Sequence, residues 1–136
     1  MNSYNVSDAL LRQTKALPAS AAAITTDAID LGHGTNGQNV AEHEFVLDAP
    51  ALTVGELPNA QTMIYAIVTS ANADMSSPTV VNAAFVTQTG ADGAGAAAVE
   101  KRFRLPSDCQ RYVGIRATKS GAGSAATASV TLSLKF

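Results

Sequence analysis

From residue 126 to the end of the chain, apolar and polar side chains alternate without a break. Ala128, Val130, Leu132, Leu134 and Phe136 alternate with Thr127, Ser129, Thr131, Ser133 and Lys135. Successive side chains of a strand point to opposite faces, so this period of two predicts a strand with one face in a core and one in water. Residues 62–70 are almost continuously apolar and rich in β-branched side chains, which predicts a strand buried on both faces. Residues 79–89, with Val80, Val81, Phe85 and Val86, predict another. Residues 23–31 predict a first strand. Residues 44–47 predict a short one stopped by Asp48, Ala49 and Pro50, and 52–54 an edge piece before Gly55 and Pro58. Glycine, alanine and serine concentrate between these runs, at 90–98 and 120–124, as loops.

Residues 102–105 and 110–118 flank Pro106, Ser107 and Asp108. Proline removes a backbone donor and the two short polar side chains favour turns, so a hairpin-like unit is predicted here. Val113, Ile115 and Ala117 fall on its apolar face, and Tyr112, Gly114 and Arg116 on the other. No stretch of domain size has helical periodicity. The fold class is therefore all-β, a jelly-roll-like sandwich of roughly eight strands over residues 23–136. Its expected core is Ile29, Leu31, Ile64, Val68, Phe85, Val113, Ile115, Val130, Leu132 and Leu134.

Residues 1–22 stand apart as an N-terminal arm. Ser7 caps one or two helical turns over 7–13, and 18–22 reads as a connector. Leu10, Leu11 and Leu17 are its sizeable apolar groups after residue 8. A helix that short is marginal in water. The arm is expected to be mobile in the free protein and to bury these leucines on a neighbour.

The chain has 136 residues, enough for one domain with a real core. Only 15% are charged, against about 25% in average usage, which suits a surface partly covered in its working state. The net charge of −2 leaves no electrostatic footprint for nucleic acid or an acidic membrane surface. No apolar run approaches the roughly 20 residues of a membrane-spanning helix, and no leader is visible. The chain is expected to be made and kept in the cytosol unless packaged into something else. Cys109 is the single cysteine, which excludes an internal disulfide and reads as a structural thiol at a turn.

Candidate chemistry is sparse. Gly32 to Gly37 fits the letters G-x-G-x-x-G after a predicted strand, but no helix follows to receive a pyrophosphate, so it reads as a glycine-rich turn. His33 and His43 with Asp30 or Glu42 match no compact zinc spacing and read as surface histidines. The acids Asp27, Asp30, Glu42, Glu44, Asp48 and Glu56 are scattered over strand ends and loops rather than paired for acid–base work. Asn5, Val6 and Ser7 spell a glycosylation site by letter only. Arg102, Arg104, Arg111 and Arg116, with Phe103 and Tyr112, are the one cationic concentration. In an acidic chain with 5% aromatics they read as protein-interface or ion-pairing residues before nucleic-acid ones. No catalytic residue, cofactor or metal is expected.

Ser7, Asp8 and Ala9, an Ala/Thr/Ser-rich connector, and Thr26 to Gly32 together resemble the opening of tailed-phage capsid cement (decoration) proteins, similar to the Bordetella phage cement protein. Phe103 to Pro106 and Arg111 to Ile115 resemble the penultimate strands of that family. The resemblance implies a small jelly-roll protein that forms a homodimer or homotrimer. It would sit on the outer capsid surface of the virion, bind the major capsid protein, and staple its subunits together after synthesis in the host cytoplasm. Leu10, Leu11, Leu17, Arg104, Tyr112 and Arg116 are the expected capsid or oligomer contacts. A ligand- or carbohydrate-binding β-sandwich is the alternative. Sugar platforms usually rely on exposed Trp or Tyr, and this chain has no Trp and three Tyr.

Overall fold

The computed structural model describes residues 11–32 and 44–135. They form nine strands: β1 Arg12–Ala16, β2 Ala23–Thr25, β3 Ile29–Asp30, β4 Glu44–Ala49, β5 Thr62–Ser70, β6 Thr79–Thr89, β7 Val99–Phe103, β8 Tyr112–Lys119 and β9 Ser129–Lys135. One sheet runs β1-β9-β4-β7. The other runs β2-β8-β5-β6, with β3 also on β8. Every pairing is antiparallel. The fold is the expected all-β sandwich.

The core lies between the sheets. Phe45, Leu47, Val130, Leu132 and Leu134 come from one sheet, and Met63, Tyr65, Ile67, Val86, Val113, Ile115 and Ala117 from the other. Of the expected core, Ile29, Val113, Ile115, Val130, Leu132 and Leu134 are buried there. Leu31, Ile64 and Phe85 are only partly buried, and Val68 is buried on the opposite side of its sheet. β5 is apolar on both faces, so its composition does not say which face points inward. Pairing of Tyr65 with Ala117 and of Ile67 with Ile115 sets that phase.

Residues 102–119 are not a hairpin. β7 pairs with β4 and β8 with β5, in different sheets. The link between them is anchored by Leu105 and Cys109, both in the core, and turns where Cys109 N donates to Pro106 O at 3.2 Å. Phe103 explains where β7 goes. Its ring stacks on Phe45 at 5.3 Å and meets Phe85 edge-on at 5.1 Å, a favoured aromatic arrangement.

The predicted strand 23–31 is broken. Thr26 takes both backbone groups of Ile115, its N donating to the carbonyl at 2.9 Å and its Oγ1 accepting from the amide at 3.0 Å. Thr25 pairs with Arg116 and Ile29 with Val113, so four steps on this strand face three on β8. The extra residue makes a bulge.

The arm reading is corrected in its second half. Residues 12–16 are a strand, so Arg12 and Gln13 do not end the helical turns expected over 7–13, and Arg12 lies opposite Ser133 and Ala16 opposite Ser129. Leu17 is 2% exposed in this chain's own core, and its N donates to Ala128 O at 2.9 Å. It is not available to a neighbour. Leu11 packs partly against the same core. A ladder to β9 satisfies more backbone groups than an isolated helical turn would. Ser7 and Leu10 lie outside the described residues.

β9 also departs from expectation on its outer side. Thr131 and Ser133 are buried rather than wet. β9 is an inner strand, and Ser133 sits in register between Arg12 and Val46, so the small side chain lies beneath larger ones.

Candidate functional site

The outer side of β8 carries Tyr112, Gly114 and Arg116, as the alternation predicts. Beside them lies a second apolar cluster of Ala66, Val68 and Met75, with Ala28 and Tyr112 packed against it. Met75 reaches it from the 71–78 loop. Ser70 Oγ donates to Ser76 O at 2.7 Å, Asp74 Oδ1 accepts from Ser76 N at 2.9 Å, and Met75 N donates to Asn72 O at 3.1 Å. The hydrogen bonds to Ser76 hold the Asp74 carboxyl below its usual range. Gly114 makes room for the cluster: a Cβ there would stand 3.1 Å from both Met75 Cε and Thr26 Oγ1.

The four arginines do not form one patch. Arg111 binds Asp30 with both ends of its guanidinium, Nε to Oδ1 at 2.8 Å and the second nitrogen to Oδ2 at 2.9 Å. That pairing, mainly the hydrogen bond, holds the guanidinium pKa above its ordinary value. Arg111 also lies 5.3 Å from the Tyr112 ring, within cation–π range. Arg102 pairs with Glu44 at 3.1 Å. Arg104 follows β7 in the other sheet, so it does not share the strand face of Tyr112 and Arg116. Among the described residues neither Arg104 nor Arg116 has an ion pair. Arg116 is half-buried between Thr25 and Ala66 in register, on an inner strand of its sheet.

Among the described residues, no group of three or more His, Cys, Asp or Glu could hold a metal ion. His33, His43, Glu42 and most of the glycine-rich turn lie outside them. Cys109 is buried, and burial, then the Asp108 carboxylate, push its thiol above its usual pKa, away from the reactive thiolate. A groove of about 550 Å³ between the 51–53 and 91–97 segments is lined chiefly by alanine, with Leu52 and Thr53 among its walls. It offers no charged group to orient a substrate. Of the described tyrosines, Tyr65 is buried and Tyr112 is half-buried, so neither is an open platform.

No family model matches this chain, and no curated protein matches it.

Two polar arrangements were not visible in the sequence. Tyr65 and Gln88 bond to each other inside the core. Lys119, 2% exposed, donates through Nζ to the carbonyls of Ser120 and Gly121, each at 3.2 Å, and to that of Ala122. Both knit the scaffold together. No exposed reactive group accompanies either of them. Tyr65 lies on an inward position of β5, which its alternation with Met63 and Ile67 marks. Lys119 shares the inward phase of Val113, Ile115 and Ala117, and that phase was its only signal.

Proposed function

We propose that this chain is a structural virion protein, a decoration protein that binds the outer capsid lattice of a tailed phage and stabilises it, acting as a homodimer or homotrimer. The observation that carries the reading is Arg116. It stands half-buried, without an ion-pair partner among the described residues, on the inner strand β8, whose same face carries Tyr112 four residues away. Arginine and tyrosine are enriched at protein interfaces, where the guanidinium can meet carboxylates or backbone carbonyls of a partner. The low charge of the chain and its resemblance to capsid cement proteins support the same reading.

The strand order supports the finer reading of a jelly roll. The chain passes between the sheets so that β1-β9-β4-β7 faces β2-β8-β5-β6, the order obtained by winding two Greek keys together. β2 and β3 act as one interrupted strand, which brings the count to the expected eight.

The test is co-sedimentation of the purified protein with capsids of the phage whose genome encodes it. Saturable binding, weakened by Arg116→Glu with an unchanged melting curve, is the expected result. Absence of binding to those capsids overturns the reading. So does tight, salt-sensitive binding to single-stranded DNA at physiological ionic strength.

A further inference from the structure

We infer, resting on the decoration reading, that the outer face of the β2-β8-β5-β6 sheet docks on the capsid lattice, against a protein surface that presents one carboxylate to Arg116 from within an uncharged patch. The outer face of the β1-β9-β4-β7 sheet is then left toward solvent.

The two outer faces differ in charge. On outward positions of β1, β9, β4 and β7 stand Arg12, Glu44, Asp48, Glu100, Arg102 and Lys135. On outward positions of β2, β8, β5 and β6, Arg116 is the one charged residue among the described residues. Asp30, at the β3 end of that face, is already bound by Arg111. An antiparallel sheet with one face in water usually carries polar side chains there, and the first sheet does so with charges. The second presents mostly methyl and hydroxyl groups. Interface centres are depleted in charge and enriched in arginine and tyrosine, and Tyr112 shares this face.

Arg116 stands on β8, between β2 and β5. Thr25 lies opposite it on one side and Ala66 on the other. Thr118, the next outward residue of β8, lies between Ala23 and Ile64. Gly114 is the outward residue before Arg116. These neighbours are uncharged and mostly small. They leave the guanidinium half-buried, with no ion pair among the described residues.

The lone cation selects the occupant. Covering this face strips water from Arg116, and a guanidinium desolvated without a counter-charge is costly. The partner surface must bring an acceptor. A carboxylate cancels the charge and matches the planar fork of donors. One cation among uncharged neighbours fits one carboxylate. It does not fit a polyanion such as nucleic acid, whose binding draws on several cations. Nor does it fit a second copy across a central two-fold, where Arg116 would meet Arg116.

The experiment is quantitative co-sedimentation of the full chain with capsids of the phage whose genome encodes it. Thr87→Glu and Thr118→Glu test the docking face, and Ser129→Glu tests the outer face of the other sheet. All three positions are exposed, so each variant should melt as the wild type does. Thr87→Glu should bind about ten-fold or more weakly, because docking would bury an unpaired charge. Thr118→Glu should do the same, since it also offers Arg116 a carboxylate from its own chain. Ser129→Glu should bind as the wild type does. Arg116→Met keeps an aliphatic stem without the charge, and should bind about ten-fold more weakly with most of the salt dependence gone. A wild type that binds no capsid overturns the decoration reading and this docking face with it. A wild type that binds, while the two docking-face variants bind equally well or Ser129→Glu binds worse, overturns the docking face alone. Wild-type binding that falls no more with salt than that of Arg116→Met overturns the carboxylate. If Thr87→Glu splits an oligomer of the free protein in sedimentation velocity, a second copy occupies the face and the proposal is overturned as well.

Discussion

The phenol of Tyr65 donates to Oε1 of Gln88 at 2.8 Å inside the sandwich. Gln88 Nε2 donates in turn to the carbonyls of Pro50 and Ala97, both at 2.8 Å. One glutamine on β6 thus ties β5 to the segments that follow β4 and precede β7. Tyr65→Phe leaves the Gln88 acceptor buried and unpaired, at an expected cost of about 1–3 kcal/mol. Gln88→Leu strands the phenol and two carbonyls, so it should cost more. Urea unfolding of the two variants checks the order. Burial holds the Tyr65 pKa above its ordinary value of 10.0. The unfolded phenol then loses its proton first as pH rises past that value, and stability falls there. Tyr65→Phe should remove this part of the alkaline loss.

Lys119 titrates in the opposite sense. Burial lowers its pKa from the ordinary value of 10.5. Between the folded pKa and 10.5 the unfolded chain binds more protons, so raising pH through that window stabilises the fold. Lys119→Met keeps the buried stem and removes the ammonium. Two effects then oppose each other, since the charge no longer needs desolvation and three loop carbonyls lose their donor. Residues 120–122 are exposed and water can reach them, so the net change at neutral pH should be within about 1 kcal/mol. The alkaline rise below pH 10.5 should vanish in the variant. Unfolding curves taken across that range decide the point, and a rise that survives in Lys119→Met belongs to another group.

Much of the fold was legible because it rests on alternation. β9 has one strictly apolar face and β8 one that is apolar as far as Ala117, and Val130, Leu132, Leu134, Val113 and Ile115 went where those faces required. β5 was legible as a strand but not in phase, because Ile64 and Val68 are as apolar as Met63 and Ile67. The sheet assignment of β7 was hidden, since a turn-forming Pro106, Ser107 and Asp108 fits a hairpin as well as a crossover. What separates them is the long-range stacking of Phe103 on Phe45. β1 was missed for a related reason. Arg12 to Ala16 has no apolar alternation, and it is a strand because β9 needs a neighbour. In the candidate site, the outward phase of Tyr112 and Arg116 was readable, whereas the pairing of Arg111 with Asp30 spans most of the chain and left no local trace.

The turn before β7 makes a sharp comparison between two glycines. Gly93 has φ +73° with open space where a Cβ would go. Gly95 has φ +69°, and its Cβ would lie 2.0 Å from the carbonyl oxygen of Leu52. That carbonyl also accepts from Ala96 N at 2.8 Å, so it cannot move away freely. Gly93→Ala should cost about 1 kcal/mol, the price of a left-handed conformation alone. Gly95→Ala should cost clearly more and loosen the Leu52–Ala96 bridge. Melting curves of the two variants test this, and equal losses would mean that the backbone relaxes around the added methyl.

Residues 12–17 belong to the sandwich, and truncation should show it. Five residues of β1 pair with β9, and past them Leu17 enters the core. Ala125 N donates to Pro18 O at 3.1 Å, which pins the same corner to the loop before β9. Lys15 reaches Asp27 at 3.6 Å across this edge of the sandwich, but an exposed pair of that kind adds little. The leucine and the ladder therefore carry the docking. Leu17→Ala should destabilise by about 2–4 kcal/mol, as for other buried leucines. Deleting residues 1–17 removes the leucine and the ladder together and also uncovers β9 as a new edge. It should lower stability beyond Leu17→Ala and promote aggregation. Thermal melts of the three proteins at one concentration give the answer. If the 1–17 deletion melts with the full chain, β1 is only laid on the sandwich and contributes little to holding it together.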